Sequence, residues 1–300
     1  MSNIIQTATV ELIRSQSGKI RINFEYEIPE SITSFTVSFL ERVPVEDAKG
    51  FHVKNRTCKW DSGSTNRPRI KIDYGVNDGS TRTGYGYIDT GAWAITKLPT
   101  LGFQWRYRGS NESPEMIKQY SVNGDGAVSS DGAVAYLGPN NQYKQTSKST
   151  GEEFNLVVPE AADLADDPSR ILSALTHASE YLRVGALNDD TVLAIAAPTE
   201  NHTWASKGRQ RGENGFWVRD DAVTDEKNET WVHEYVHTRQ LFSRSNETFW
   251  FKEGTADYFA ALAALDREAV NFGTFYEFLT YSRDSGAVLS DPSTWTSRST

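Results

Sequence analysis

Residues 231–258 read WVHEYVHTRQLFSRSNETFWFKEGTADY. The 300-residue chain has only five histidines, and two of them, His233 and His237, stand here four apart with Glu234 between them. On a helix that spacing puts both imidazoles on one face, one turn apart, where each can reach a single small cation about 2 Å away. Glu234 flanks that face, placed to approach a water at the metal without ligating the metal itself. Two neutral nitrogens, an open coordination position and a base for the water are what zinc hydrolysis needs. A catalytic zinc takes a third protein ligand. Glu253 is the candidate, because QLFSRSNETF lets the chain turn back and the Ala-rich TADYFAALAALD is strongly helical. An antiparallel return helix would bring Glu253 beside the two histidines. The pattern predicts helices over 225–242 and 246–265, the second capped by Ser245 or Asn246.

Upstream of this stretch the texture is mixed α/β. FNLVVP, residues 154–159, is a continuous apolar run of the kind a buried strand shows. A helix follows: Asp167 is a natural N-cap, Pro168 suits the first helical position, and Ile171, Leu172, Leu175, Ala178 and Leu182 share one face, with Gly185 as the stop. His177 rides on this helix and reads as a packed or surface residue, not a ligand. TVLAIAA is a second buried strand, and NGFWVRDDAV reads as a strand leading towards the histidines. The first half alternates instead. TATVELIRS, KIRINFEYEIP, SFTVSFLE, RIKIDYGV, GAWAITKL and GFQWRYRG switch between apolar and polar at period two, with turn formers such as SQSG, VNDGS and RGSNESPE between them. The expectation is an α+β chain: an all-β, sandwich-like N-terminal domain over 1–150, then a mixed α/β domain over 151–300 that carries the histidines.

Composition narrows the function. The formal charge of −9 comes from 40 acidic against 31 basic residues with no long run of either sign. That argues against a nucleic-acid or anionic-membrane surface. No apolar run approaches the roughly 18 residues that would span a bilayer, and MSNIIQTATVELIRS lacks the basic start and apolar block of a signal peptide, so the expectation is a cytoplasmic protein. The Asn-X-Ser/Thr triplets at Asn55, Asn111, Asn201, Asn228 and Asn246 read as coincidental in a sequence rich in these residues. Cys58, the single cysteine, has no internal disulfide partner and reads as a packed strand residue. Trp60, Trp93 and Trp105 lie in or beside expected strands and are assigned to packing in preference to a sugar-binding face.

The combined motif resembles a known group. His-Glu-X-X-His, followed by Trp250, Glu253, Gly254, Ala256 and Tyr258 on a Trp-X-X-Glu-Gly-X-Ala-X-Tyr pattern, is similar to the gluzincin metallopeptidases, in particular the membrane alanyl aminopeptidase and glycyl aminopeptidase families. The resemblance implies one Zn2+ held by His233, His237 and Glu253 in a thermolysin-like domain. It also implies a peptide or protein substrate and aminopeptidase-like hydrolysis, with Glu234 as the base assisting attack by a zinc-bound water. Asp257, four residues after Glu253, matches the Glu-Gly-X-X-Asp arrangement in which the aspartate supports a ligating histidine. Those aminopeptidases carry a Gly-X-Met-Glu-Asn strand whose glutamate binds the substrate amine, and RGENGFWV offers Glu213 for that role. Two departures stand out. The stretch from His237 to Glu253 is shorter than in the alanyl aminopeptidases, and the sequence stops at Thr300, where chains of this clan continue into helices bearing an oxyanion-stabilising tyrosine. Tyr258, Tyr276 and Tyr281 have no recognisable counterpart there. The chain therefore reads as a fragment, a minimal variant or an impaired enzyme. Two competing functions are a peptide-binding scaffold with a gluzincin fold and hydrolysis of a non-peptide bond such as an epoxide.

Overall fold

The computed structural model describes residues 3–41, 43–77, 83–109, 113–130, 133–182, 189–227, 229–240, 242 and 249–280. The chain divides into two compact units, 1–139 and 140–300.

In the first unit the period-two runs form strands, because successive side chains on a strand point to opposite faces. They are β1 (Ile4–Leu12), β2 (Lys19–Glu27), β3 (Ile32–Phe39), β4 (Val45–Lys49), β5 (Phe51–Lys54), β6 (Thr57–Trp60) and β7 (Arg69–Gly75). After these come β8 (Ile88–Asp89), β9 (Ala94–Lys97), β10 (Leu101–Tyr107), β11 (Met116–Asn123), β12 (Val128–Ser130) and β13 (Val134–Leu137). They make three sheets, in the orders β11-β1-β2-β7-β4, β10-β3-β6-β5 and β12-β13-β9-β8. Rings from the first two sheets meet in the core. Tyr26 of β2 lies 5.2 Å from Phe35 of β3 and 5.8 Å from Phe51 of β5, and Phe24 lies 6.2 Å from Phe39. Edge-to-face contacts at these distances add about 0.5–1.5 kcal/mol per pair to the burial of the rings. Cys58 is buried in β6, its thiol pushed up to about 11 by burial. Trp60 and Trp93 are buried and Trp105 is half-buried.

The second unit contains β14 (Asn140–Thr146), β15 (Glu153–Pro159), α1 (Pro168–Tyr181), β16 (Thr191–Ala197), β17 (Gly208–Arg211), β18 (Gly215–Arg219), α2 (Thr230–Thr238), α3 (Phe249–Asp266) and α4 (Phe272–Thr280). Its sheet runs β14-β15-β16-β18-β17; the three central strands are parallel and both edges antiparallel. β15 and β16 are nearly continuous apolar runs, as central parallel strands are. The Asp167 carboxylate accepts from the Ser169 N–H at 2.7 Å and caps α1 behind Pro168. Ile171, Leu172, Leu175 and Ala178 of α1 share one core with Trp231, Val232, Tyr235 and Val236 of α2 and Ala256, Ala260 and Ala263 of α3.

Several elements differ from the sequence expectation. β14 falls before residue 150 yet pairs along its length with β15, so it belongs to the second sheet. Its mostly exposed face is why NNQYKQT carries no apolar alternation. α2 is shorter than the expected 225–242 because tertiary bonds claim both flanks. Thr224 N–H donates to Asp166 at 2.9 Å, Asp225 pairs with Arg170, and Arg239 turns to Glu152. α4 has no counterpart in that expectation. Gly185, Ser245, Asn246 and Tyr281 lie outside the described residues, as do Asn111 and Asn228. Among the described residues no helix is long and apolar enough to cross a membrane.

Candidate metal centre

The short helix α2 presents two different faces. Trp231, Val232, Tyr235 and Val236 are buried in the core, which fixes the helix about its own axis. His233, Glu234 and His237 then project elsewhere, the two imidazoles towards α3. Buried ion pairs hold both ends of the helix. At its start the fully buried Glu229 pairs with Arg267, which also donates to Thr224 O at 3.1 Å. Burial pushes the Glu229 carboxyl up, and the Arg267 charge opposes that shift. At the other end Arg239 lies 3.0 Å from Glu152, whose second oxygen accepts from Tyr235 Oη at 2.9 Å.

Glu253 arrives from the first turns of α3. Its Oε2 lies 3.6 Å from His233 Nε2 and 3.4 Å from His237 Nε2, and the two nitrogens are 3.1 Å apart. A zinc ion with ligand bonds near 2.1 Å places tetrahedral donors about 3.4 Å from one another. The three donors therefore fit zinc both in type and in separation. The His233 and His237 contacts hold the Glu253 carboxyl well below the usual carboxylate range. For His233, burial works against the charged ring, but the Asp257 and Glu253 carboxylates and the Glu234 charge outweigh it and raise the ring to about 9.

Outer partners hold both rings. His233 Nδ1 lies 2.8 Å from Asp257 Oδ1, close enough for an ion pair though not aligned as a hydrogen bond. His237 Nδ1 lies 2.7 Å from Gln240 Oε1. Glu234, at 6 % exposure, packs against β17: a Cβ at Gly208 would stand 2.6 Å from Glu234 Cγ and 2.7 Å from Oε1. Any side chain at 208 would force the Glu234 carboxylate to shift. Burial raises the Glu234 carboxyl, opposed by the two imidazoles and by the Gln210 N–H.

The structure thus gathers His233, Glu234, His237, Glu253 and Asp257 in one cluster. Glu213 stands apart, in the exposed turn joining β17 to β18. Gly208, which touches Glu234, is at the opposite end of β17, and at 3.3 Å per residue the strand places the turn about 10 Å farther along. Tyr258 and Tyr276 are exposed. Sequence reading missed Gly208, Gln210 and Gln240. Gln240 had a signal, since in the expected helix over 225–242 it would follow His237 by three residues on one face, although α2 ends at Thr238 and Gln240 lies just past its cap. Gly208 and Gln210 had none, lying in the short polar strand GRQR.

Comparison with solved structures agrees with this architecture. The chain aligns over 94% of its length with an aminopeptidase N family protein from Idiomarina loihiensis, at a TM-score of 0.56 and 13% identity. It aligns over 96% of its length with an M1 zinc metallopeptidase from Deinococcus radiodurans, at a TM-score of 0.52 and 12% identity, in a glutamate-to-alanine mutant bound to a Tyr-Ser-Ala substrate. It spans 58% of the Idiomarina chain and 74% of the Deinococcus chain. No family model and no curated protein matches the sequence. At these identities the likeness establishes the fold, which is that of the aminopeptidase N and M1 zinc metallopeptidase structures.

Proposed function

We propose that the chain is a zinc-dependent peptidase of aminopeptidase type, with His233, His237 and Glu253 as the ligands of one zinc ion and Glu234 as the general base. The observation that carries this reading is the approach of three zinc-type donors to within 3.1–3.6 Å of one another beside a buried, non-ligating carboxylate. Zinc bound there supplies a Lewis acid for the scissile carbonyl and lowers the pKa of a coordinated water. Glu234 takes the proton released by the attacking water and returns it to the leaving amine. Burial raises its carboxyl, the direction that makes a carboxylate a stronger proton acceptor. Asp257 orients the His233 ring. β17 is the edge strand of the sheet and lies against Glu234, so an extended peptide added to that edge would run past the base. Glu213 has no part in this reading, because it sits at the far end of that hairpin.

The likeness to a peptide-bound Deinococcus metallopeptidase supports a peptide substrate in preference to an epoxide. The test is elemental analysis of the purified chain together with hydrolysis of peptides carrying free or blocked amino termini. The expected result is one equivalent of zinc and cleavage restricted to free-amine peptides. Zinc without hydrolysis of any peptide or epoxide would leave a binding scaffold as the better reading.

A further inference from the structure

We propose that Gln240 is a positioning residue: it fixes His237 as the Nδ1–H tautomer and ties that ring to α3, the helix that supplies Glu253. The inference deepens the metal-centre reading and rests on it for its functional meaning, although the tautomer itself can be tested without metal.

Hydrogen-bond polarity fixes which way the Gln240 amide faces. Among the described residues the Gln240 side chain has three hydrogen-bonding neighbours: His237 Nδ1 at 2.7 Å, Lys252 O at 2.9 Å and Thr255 Oγ1 at 2.7 Å. A backbone carbonyl can only accept, so the amide nitrogen must face Lys252 O. Thr255 Oγ1 spends its own proton on Phe251 O, 2.7 Å away, and is left as an acceptor for the same nitrogen. Both amide donors are then used, and Oε1, which only accepts, faces His237. The Nδ1 of His237 must therefore carry a proton. In a neutral imidazole the other nitrogen holds the lone pair. That nitrogen is Nε2, the atom 3.4 Å from Glu253 and 3.1 Å from His233 Nε2.

The fixed end of this chain is the first two turns of α3, where Lys252 and Thr255 flank Glu253. Asp257 of the same helix touches the other ring at His233 Nδ1. Each ligand histidine is thus held from behind by the helix that contributes the third donor. For His233 the tie is one direct carboxylate, and for His237 it is an amide relay. The relay sets both the tautomer and the angle at which the lone pair meets the ion. Partners of this kind change metal affinity about 10–100-fold when removed.

The experiment uses the whole chain. Long-range 1H–15N spectra of metal-free protein with 15N-labelled histidine, recorded in alkaline buffer, should show His237 as the Nδ1–H form. Gln240→Met should shift that signal towards the Nε2–H form and weaken zinc binding, measured by chelator competition, about 10–100-fold. Gln240→Glu retains an acceptor for Nδ1 but has no donor for Lys252 O, so it should keep the Nδ1–H signature while losing part of the affinity. An unchanged tautomer in Gln240→Met with zinc affinity within twofold of wild type overturns the proposal. So does a wild-type spectrum showing His237 as Nε2–H, whether or not any variant folds. A wild type that binds no zinc, yet shows the Nδ1–H form and the variant shift, would sink the metal-centre reading and leave this inference standing.

Discussion

The two units bury different chemistry. Among the described residues, Asp89 is the one buried carboxylate of the first unit, while the second buries Glu152, Asp166, Asp220, Glu229 and Glu234. The first core is aromatic and aliphatic, built on Phe24, Tyr26, Phe35 and Phe39, and non-directional burial accounts for it. Three of the second unit's carboxylates, Glu152, Glu229 and Glu234, touch or belong to the approach and body of one nine-residue helix. Buried charge is expensive unless paired. Its concentration around α2 indicates that this helix is held by directional contacts because its side chains must point somewhere specific.

That contrast can be broken in graded steps. The largest effect is expected from Glu234→Gln, which should lower kcat on a free-amine peptide about 10^2–10^4-fold while one zinc equivalent is retained. A variant keeping most of its rate would remove Glu234 from the base role. Next is Arg267→Met, which leaves the Glu229 carboxyl buried without its partner and should cost about 3–5 kcal/mol in urea unfolding. Adding Glu229→Leu should restore much of that loss, since replacing a buried pair with apolar residues is often neutral. Phe24→Ala in the first unit should cost a similar 3–5 kcal/mol by opening a cavity, yet leave zinc affinity unchanged. A matching loss of zinc affinity would show that the two cores are not energetically distinct.

Asp257→Asn is expected to do the reverse, weakening zinc about 10–100-fold with little change in unfolding midpoint above about pH 9, where the His233 ring is neutral. A pH slope accompanies these effects. With His233 raised from 6.5 to about 9, the charged ring stabilises the metal-free fold fully below pH 6.5, and that contribution is lost as pH rises to about 9. Metal-free stability should therefore fall across that window, and His233→Asn should flatten the slope. Zinc needs the neutral ring, so its affinity should rise over the same range.

Much of this arrangement was legible in sequence. The i, i+4 histidines, the return to Glu253 and the four-residue step to Asp257 are all helical spacings, and helical geometry alone brings such residues to one face. The strands with clean alternation, β2 and β7 above all, could be read for the same reason. β14 and β17 could not, because edge strands exposed along one side need no apolar alternation. The amine-binding expectation for Glu213 relied on a short polar match, and nothing local distinguishes a turn glutamate from one on the neighbouring edge strand.

By itself the sequence determined which atoms could hold a metal and how far apart along a helix they stand. Tertiary structure decided which way those atoms face. Glu152 meets Tyr235 and Arg239 across 83 and 87 residues, and Glu229 meets Arg267 across 38. Gln240 reaches Thr255 across 15. Periodicity reports only neighbours within a turn or a strand. A buried charge or a tautomer is set by whichever distant group the fold brings within 3 Å, and no local pattern encodes that group's identity.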